Sequence, residues 1–256
     1  MLALTVTTPG RRRILGIPVD DVTVAEVVEQ ACDWVRGGAG TVHQIVTVNP
    51  EFIIAARANP GFRAVLEQAA LSTADGIGVI LAARLLGRPL RARVTGVDLV
   101  EALAARAEPK MRLFLLGAGS GVAECAAASL EARFPGCVIA GTWSGSPRCE
   151  DAGEALKRIN AAGATVVLVA YGAPEQDLWI DRYRSELAAC GIVMAVGVGG
   201  TLDYLAGEVP RAPEAVRRLG FEWLYRLIRQ PWRWRRQLAL PLFAALVLRE
   251  RLFESR

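Results

Sequence analysis

Apolar residues recur along this chain in two rhythms. From Val22 to Arg36 (VTVAEVVEQACDWVR) they fall at helical spacing and stop at Gly37-Gly38, which predicts a helix with a glycine end. Before it, Ile14 to Val19 reads as a short opening strand or loop. His43 to Val48 is β-rich and halts at Asn49-Pro50, a turn signal. Helices are expected from Glu51 to Ala58 and from Pro60 to Ala70. Leu71 to Ala74 is a short apolar segment closed by Asp75-Gly76-Ile77-Gly78. A helix over Val79 to Leu86 breaks at Gly87-Arg88-Pro89, and a loop, Arg93 to Asp98, leads into a helix from Leu99 to Ala107.

The second half alternates more plainly. Strands are predicted over Arg112–Leu116, Cys137–Thr142, Thr165–Ala170 and Ile192–Val196. Between them come helices up to Phe134, over Ala152–Ala162 and over Asp177–Ala189. Continuous apolar strands separated by helices indicate a parallel sheet with helices on both faces, an α/β fold. Pro109 marks a soft boundary, and the character changes again near residue 211. The expected division is 1–108, an α/β part carrying the catalytic loops; 109–210, a nucleotide-binding part; and 211–256, an appendage.

That appendage is basic. Arg211 to Arg256 holds 11 Arg against four Glu, a net of +7, so the rest of a +4 chain carries −3. Trp223, Tyr225, Trp232 and Trp234 interleave with arginines, and short helices separated by Pro231 and Pro241 are expected. Basic, Trp-rich segments meet phosphates, either of nucleic acid or of an anionic lipid surface. Leu238 to Leu248 is the longest apolar run, with Pro241 inside it and Arg249 after it. It falls short of the roughly 18 residues needed to span a bilayer. It reads as a core helix or as one lying in an interface. Met1 to Pro9 does not read as a secretory signal, because Arg11–Arg13 follow the apolar stretch. The five cysteines are odd in number and lack a C-x-x-C pair, so a reduced, cytosolic compartment is expected.

His43 is the sole histidine, which removes chemistry that needs two. It lies in a β-rich run, where a packed ring is the plainer role. A carboxylate is then the most available general base. Asp75, in a loop beside a short apolar segment, is the candidate, with ordinary Asp-Gly turn chemistry as the alternative. Gly117, Gly119 and Gly121 follow a strand and precede a helix, either a pyrophosphate cradle or a tight turn. The following strand ends Ala140-Gly141-Thr142-Trp143 without the acid that a nicotinamide dinucleotide would use, so no such cofactor is expected. Arg93 beside Thr95 and Gly96 is either a solvated arginine or a diphosphate contact. Gly172 and the pair Gly199, Gly200 stand at strand ends, the edge where such sheets bind ligands. No D-x-D occurs and no metal site is expected.

Several stretches together resemble the WecG/TagA/CpsF bacterial glycosyltransferases, glycosyltransferase family 26. They are Thr47–Glu51, Ala74–Val79, Arg93–Leu99, Phe114–Gly117, Gly172–Gln176, Gly197–Asp203, Arg211–Pro213 and Leu219–Arg226. They occur in family order over about residues 14–237. The family has Lys and Glu where this chain has Glu175 and Asp177, so position 175 is given no phosphate role. The resemblance implies a Rossmann-like core with a C-terminal helical appendage, a GT-E-like arrangement. It implies inverting transfer, without a metal, of N-acetylmannosamine, its uronic acid or glucose. The donor would be a UDP-sugar and the acceptor a polyprenyl-diphosphate-linked sugar, in cell-surface polysaccharide synthesis. The enzyme would sit peripherally on the inner face of the cell membrane. The family's base matches Asp75, and its other site positions match Thr47, Asn49, Arg93 and Gln176. Arg211, Arg226, Arg229 and Arg233 are the candidates for the membrane or lipid diphosphate. A nucleic-acid-binding tail, a nicotinamide-dependent oxidoreductase and a homo-oligomer interface are the rival readings.

Overall fold

The computed structural model describes residues 10–38, 40–231 and 234–254. An antiparallel hairpin opens it, β1 (Arg11–Ile14) and β2 (Ile17–Asp20). Buried Asp20 ties the hairpin down, pairing with Arg11 (2.8 Å) and accepting the Ser72 N–H (2.7 Å). Helix α1 (Val24–Gly37) starts in a capping box: the Thr23 hydroxyl accepts the Glu26 N–H, and the Glu26 carboxylate accepts the Thr23 N–H. Next come β3 (His43–Val48), α2 (Pro50–Ala58) and α3 (Pro60–Gln68). Both helices begin with Asn-Pro. Asn49 caps the Phe52 N–H and Asn59 the Phe62 N–H, while Pro takes the first helical position, where no N–H is needed.

The segment Leu71–Ala74 is a true strand, β4, followed by α4 (Ile77–Leu85) and α5 (Gly96–Arg106). The alternating half then runs β5 (Arg112–Gly117), α6 (Val122–Arg133), β6 (Val138–Trp143), α7 (Cys149–Ala162) and β7 (Val166–Ala170). The helix expected over Asp177–Ala189 is two, α8 (Glu175–Arg182) and α9 (Arg184–Ala189), broken at Tyr183. At the break Arg184 bonds the Val42 carbonyl (2.9 Å) and Gln44 Oε1 (2.8 Å), contacts that no local pattern announces. Strand β8 (Met194–Gly197) and α10 (Thr201–Leu205) complete the core.

Six strands form one parallel sheet in the order β4-β3-β8-β7-β5-β6. Strands from both sides of residue 109 therefore share it. The period of two along each strand sorts side chains between faces. Ile45, Leu113, Leu115, Val166, Leu168, Met194 and Val196 face one buried cluster, with α1, α5, α6 and α10. On the other face, Phe114, Leu116, Val167, Val169 and Ala195 pack under α7, α8 and α9, while Val46 and Val48 pack under α2, α3 and α4. This is a Rossmann-like α/β core.

The appendage follows as α11 (Glu214–Arg218), α12 (Glu222–Arg229), α13 (Trp234–Gln237) and α14 (Ala239–Glu254). Pro241 does not separate helices, contrary to expectation. It occupies the first turn of α14, where its missing N–H costs no bond and the ring meets no preceding carbonyl. Phe243 and Val247 are buried against α2 and α4, whereas Leu242 and Leu248 on the same helix, and Leu238 just before it, are half-exposed or more. Ion pairs Arg236–Glu51 (3.0 Å) and Arg88–Glu250 (3.0 Å) fasten this region to the core. The apolar run is thus both core-packed and exposed, on different faces.

Candidate active site

The strand ends β4, β3, β8 and β7 open into a cavity of about 880 Å³, and α12 and α14 wall its outer side. Parallel strands point their carboxyl ends the same way, which gathers four loops over one edge.

Thr47 closes β3. It is buried, and its hydroxyl donates to the Gly197 carbonyl at 3.4 Å, joining the β3 and β8 ends. Asn49 lines the cavity while capping α2. Asp75 follows β4, its N–H donating to the Val48 carbonyl at 2.8 Å, and Gly76 then takes a φ of +98° to start α4. Arg93 is brought alongside by the next residue, since the Val94 N–H donates to the Ala74 carbonyl at 2.8 Å. The Thr73 hydroxyl also holds the Val94 carbonyl (3.2 Å), and Thr95 caps α5. Asp75 and Arg93 are therefore neighbours because the chain, after passing through α4, returns to bond the end of β4.

Asp75 is half-buried at the cavity wall. Its pKa is pushed up to about 7, first by desolvation and next by the Glu222 carboxylate. Arg93 and Arg226 oppose the rise and Asp98 adds to it. A carboxyl group poised there exchanges protons readily near neutrality.

The β7 loop contributes Tyr171 and Gly172 (φ +84°), and the first turn of α8 contributes Gln176. Gln176 is buried, and its Oε1 accepts the Gly199 N–H at 2.9 Å. Gly197 has no room for a side chain: a Cβ would lie 2.5 Å from Asp177 Oδ1 and 2.6 Å from Gln176 Nε2. Gly199 and Gly200 line the cavity, and the Arg226 guanidinium lies directly against Gly200 and over the Tyr204 ring. Glu175 is exposed and outside the lining.

Thr47, Asn49, Asp75, Arg93, Gly172, Gln176, Gly199, Gly200 and Arg226 thus converge on one cavity. Gly117 and Gly119 do not line it. Gly117 is needed for packing, because a Cβ there would sit 2.8 Å from the Tyr171 ring and 2.9 Å from the Ala170 carbonyl carbon. Arg211 is not in the lining either. It bonds Asp98 at 2.6 Å and approaches Glu222 at 3.6 Å. Arg229 is exposed and stacks over Tyr225. Arg233, like Trp232, lies outside the described residues. His43 stacks on Trp34 with ring centroids 4.3 Å apart, at the end of β3 away from the cavity, and burial and then Arg184 hold its pKa down.

Three contributors carried no local signal. Glu222, in the stretch Leu219–Arg226, reaches Arg93 at 3.4 Å. Tyr204 supports Arg226. Asp177 is wholly buried with neither carboxylate oxygen at hydrogen-bonding geometry. Burial pushes its pKa up to about 7, only partly offset by Gln176, its own amide and Gln44. Among the described residues no three His, Cys, Asp or Glu side chains gather to hold a metal ion, and no helix is long and apolar enough to cross a membrane.

Residues 12–256 match the Glycosyl transferase WecG/TagA/CpsF family. The chain belongs to this family. It is similar to an N-acetylglucosaminyldiphosphoundecaprenol N-acetyl-beta-D-mannosaminyltransferase of Bacillus spizizenii, at 39% identity over 80% of this chain and 78% of the relative. A Bacillus subtilis protein of the same name is 37% identical over 80% of this chain and 79% of its own. One from Staphylococcus aureus is 32% identical over 90% and 89%. This glycosyltransferase therefore carries its cavity at the strand ends of a Rossmann-like sheet, with the cavity completed by the appendage.

Proposed function

We propose that this glycosyltransferase moves a hexosyl group, with inversion, from a UDP-sugar to a sugar carried on a polyprenyl diphosphate. The Asp75–Arg93 juxtaposition carries the reading. In direct displacement, the acceptor hydroxyl gives its proton to Asp75 as its oxygen attacks the anomeric carbon. The bond to the UDP oxygen breaks, and positive charge must meet the negative charge that develops there. Arg93 supplies it, with the Gly199–Gly200 turn beside it. Gln176 holds that turn through the Gly199 N–H. No metal is assigned to the reaction.

N-acetylmannosamine is the favoured donor sugar and a GlcNAc-bearing lipid diphosphate the favoured acceptor, because the similar bacterial proteins are named for that transfer. The lipid acceptor accounts for the exposed apolar side chains Trp223 and Leu248 in the cavity lining, and for exposed Leu224 and Ile228 on the same helix as Trp223. Arg229 of α12 is exposed on the same helix while Arg226 points to the cavity, so the appendage sits on an anionic membrane face with the cavity mouth toward the lipid. In this reading residues 1–108 bring the base, 109–210 the donor site and 211–256 the membrane contact.

The test is UDP release from a panel of UDP-sugars with a polyprenyl-diphosphate-GlcNAc acceptor, with and without EDTA. Turnover with UDP-N-acetylmannosamine that survives EDTA is expected. Turnover only with another sugar corrects the donor, and loss to EDTA restored by Mg²⁺ overturns the metal-free step.

A further inference from the structure

Glu222 sits where a carboxylate is least welcome. It lines a cavity assigned to a diphosphate, and it comes from the appendage rather than from the catalytic loops. Its Oε2 is 3.4 Å from Arg93 Nη1 and its Oε1 is 3.6 Å from Arg211 Nε. Both distances exceed the 2.7–2.9 Å or so of a well-made charge-assisted bond. The carboxylate is shared between two cations and fully engaged by neither.

The second cation has a vacant bonding position. Arg211 already gives Nη2 to Asp98 at 2.6 Å, and Nη1 stands 3.9 Å from Glu101. Its Nε is buried and makes no hydrogen bond. A buried unpartnered donor carries a standing cost, which a small shift of Glu222 removes.

We propose that Glu222 is a positioning residue that keeps Arg93 neutralised until a phosphoryl oxygen arrives, then moves onto Arg211 Nε and leaves Arg93 to the donor diphosphate. This rests on the reading that places Arg93 at the leaving group. The exchange conserves ion pairs: Arg93 trades a carboxylate for a phosphoryl oxygen, and Glu222 trades a weak contact for a bond to Nε. Repulsion between the incoming anion and Glu222 drives the move. When UDP departs, Glu222 returns and competes with rebinding, so the same residue promotes product release. Because Glu222 opens α12, only a chain with its appendage seated on the core has this exchange available.

The test uses the full chain and UDP itself as the probe, by titration calorimetry, alongside steady-state turnover. Glu222→Gln keeps the shape and removes the charge. UDP is expected to bind about 3- to 10-fold tighter, with kcat lowered because UDP leaves more slowly. Glu222→Asp retains the charge and is expected to bind UDP no tighter than wild type. A residue that merely pins α12 would give the opposite pattern, with weaker UDP binding in both variants. Unchanged or weaker UDP binding in Glu222→Gln, while Arg93→Ala weakens it at least tenfold, overturns this proposal alone. Unchanged UDP binding in Arg93→Ala instead overturns the placement of Arg93 at the leaving group, and the proposal with it.

Discussion

The turn after β8 and the turn after β5 are both glycine-rich exits from buried parallel strands, yet the first lines the cavity and the second does not. Gly197 is pressed against Gln176 and Asp177, and Gly199 is held by Gln176. Gly117 is pressed instead against its own sheet neighbours, Ala170 and Tyr171. Backbone geometry alone does not make a phosphate cradle. What separates the two turns is which of them reaches the cavity: Gly199 and Gly200 line it themselves, whereas Gly117 packs against Ala170 and Tyr171, which line it in place of the β5 turn.

The strongest way to break this distinction is to remove the acid that shares the cavity with the β8 turn. Asp75→Asn should keep the fold and lower transfer by about 10²–10⁴-fold. In the wild type, kcat/KM should climb roughly tenfold between pH 6 and pH 8, as a base of pKa near 7 loses its proton. Residual activity in the Asn variant should lack that limb. Turnover within a fewfold of wild type would remove Asp75 from the role.

Next in size is a paired substitution. Gly197→Ala forces Gln176 and Asp177 to move, and displacement of positioning groups by an ångström costs on the order of 10²-fold. Gly119→Ala meets only Val122 Cγ2 at 3.3 Å and should leave kcat/KM within about twofold. Equal losses in the two variants would mean that both turns serve the ligand.

Asp177, beneath the β8 turn, offers a stability readout. Its folded pKa lies above the unfolded value, so its contribution is full below the unfolded pKa near 4, declines as pH rises, and is gone once pH has passed through about 7. The wild-type Tm should therefore fall between pH 5 and pH 7.5, and Asp177→Asn should flatten that fall by several degrees, as a change of about 1–2 kcal/mol would at this size. A parallel decline in both proteins would show that Asp177 is charged throughout.

The smallest effect is expected at Arg229. It is exposed and stacks on Tyr225, so Arg229→Ala should weaken co-sedimentation with anionic vesicles by a fewfold and leave UDP binding unchanged. A loss of UDP binding would bring Arg229 into the cavity.

Much of this architecture was legible in residue order. Runs such as Val166–Ala170 are apolar throughout because both faces of the strand are covered, and that is visible without coordinates. Asp75 stood out through its loop and the want of a second histidine. The break at Tyr183 was not legible, because it is answered by Arg184 reaching β3, a partner about 140 residues away in the chain. Glu222 was hidden for the same reason: its meaning depends on Arg93 and Arg211, which only the fold makes neighbours. Gly117 was legible only as an open choice, because a pyrophosphate turn and a packing turn share one local spelling.

The position of β8 has a further consequence, for assembly. The last strand made is the one inserted between β3 and β7, near the middle of the sheet. Until Gly197 has left the ribosome, β3 and β7 each keep a bare row of hydrogen-bonding groups on an apolar strand, an invitation to pair with another chain. Such long-range closure is slow compared with local helix formation. Newly made copies therefore pass through a sticky stage that begins with β3 and is widest between the making of β7 and of β8, and the yield of active enzyme in a cell should depend more on chaperone supply than the finished protein's stability would suggest.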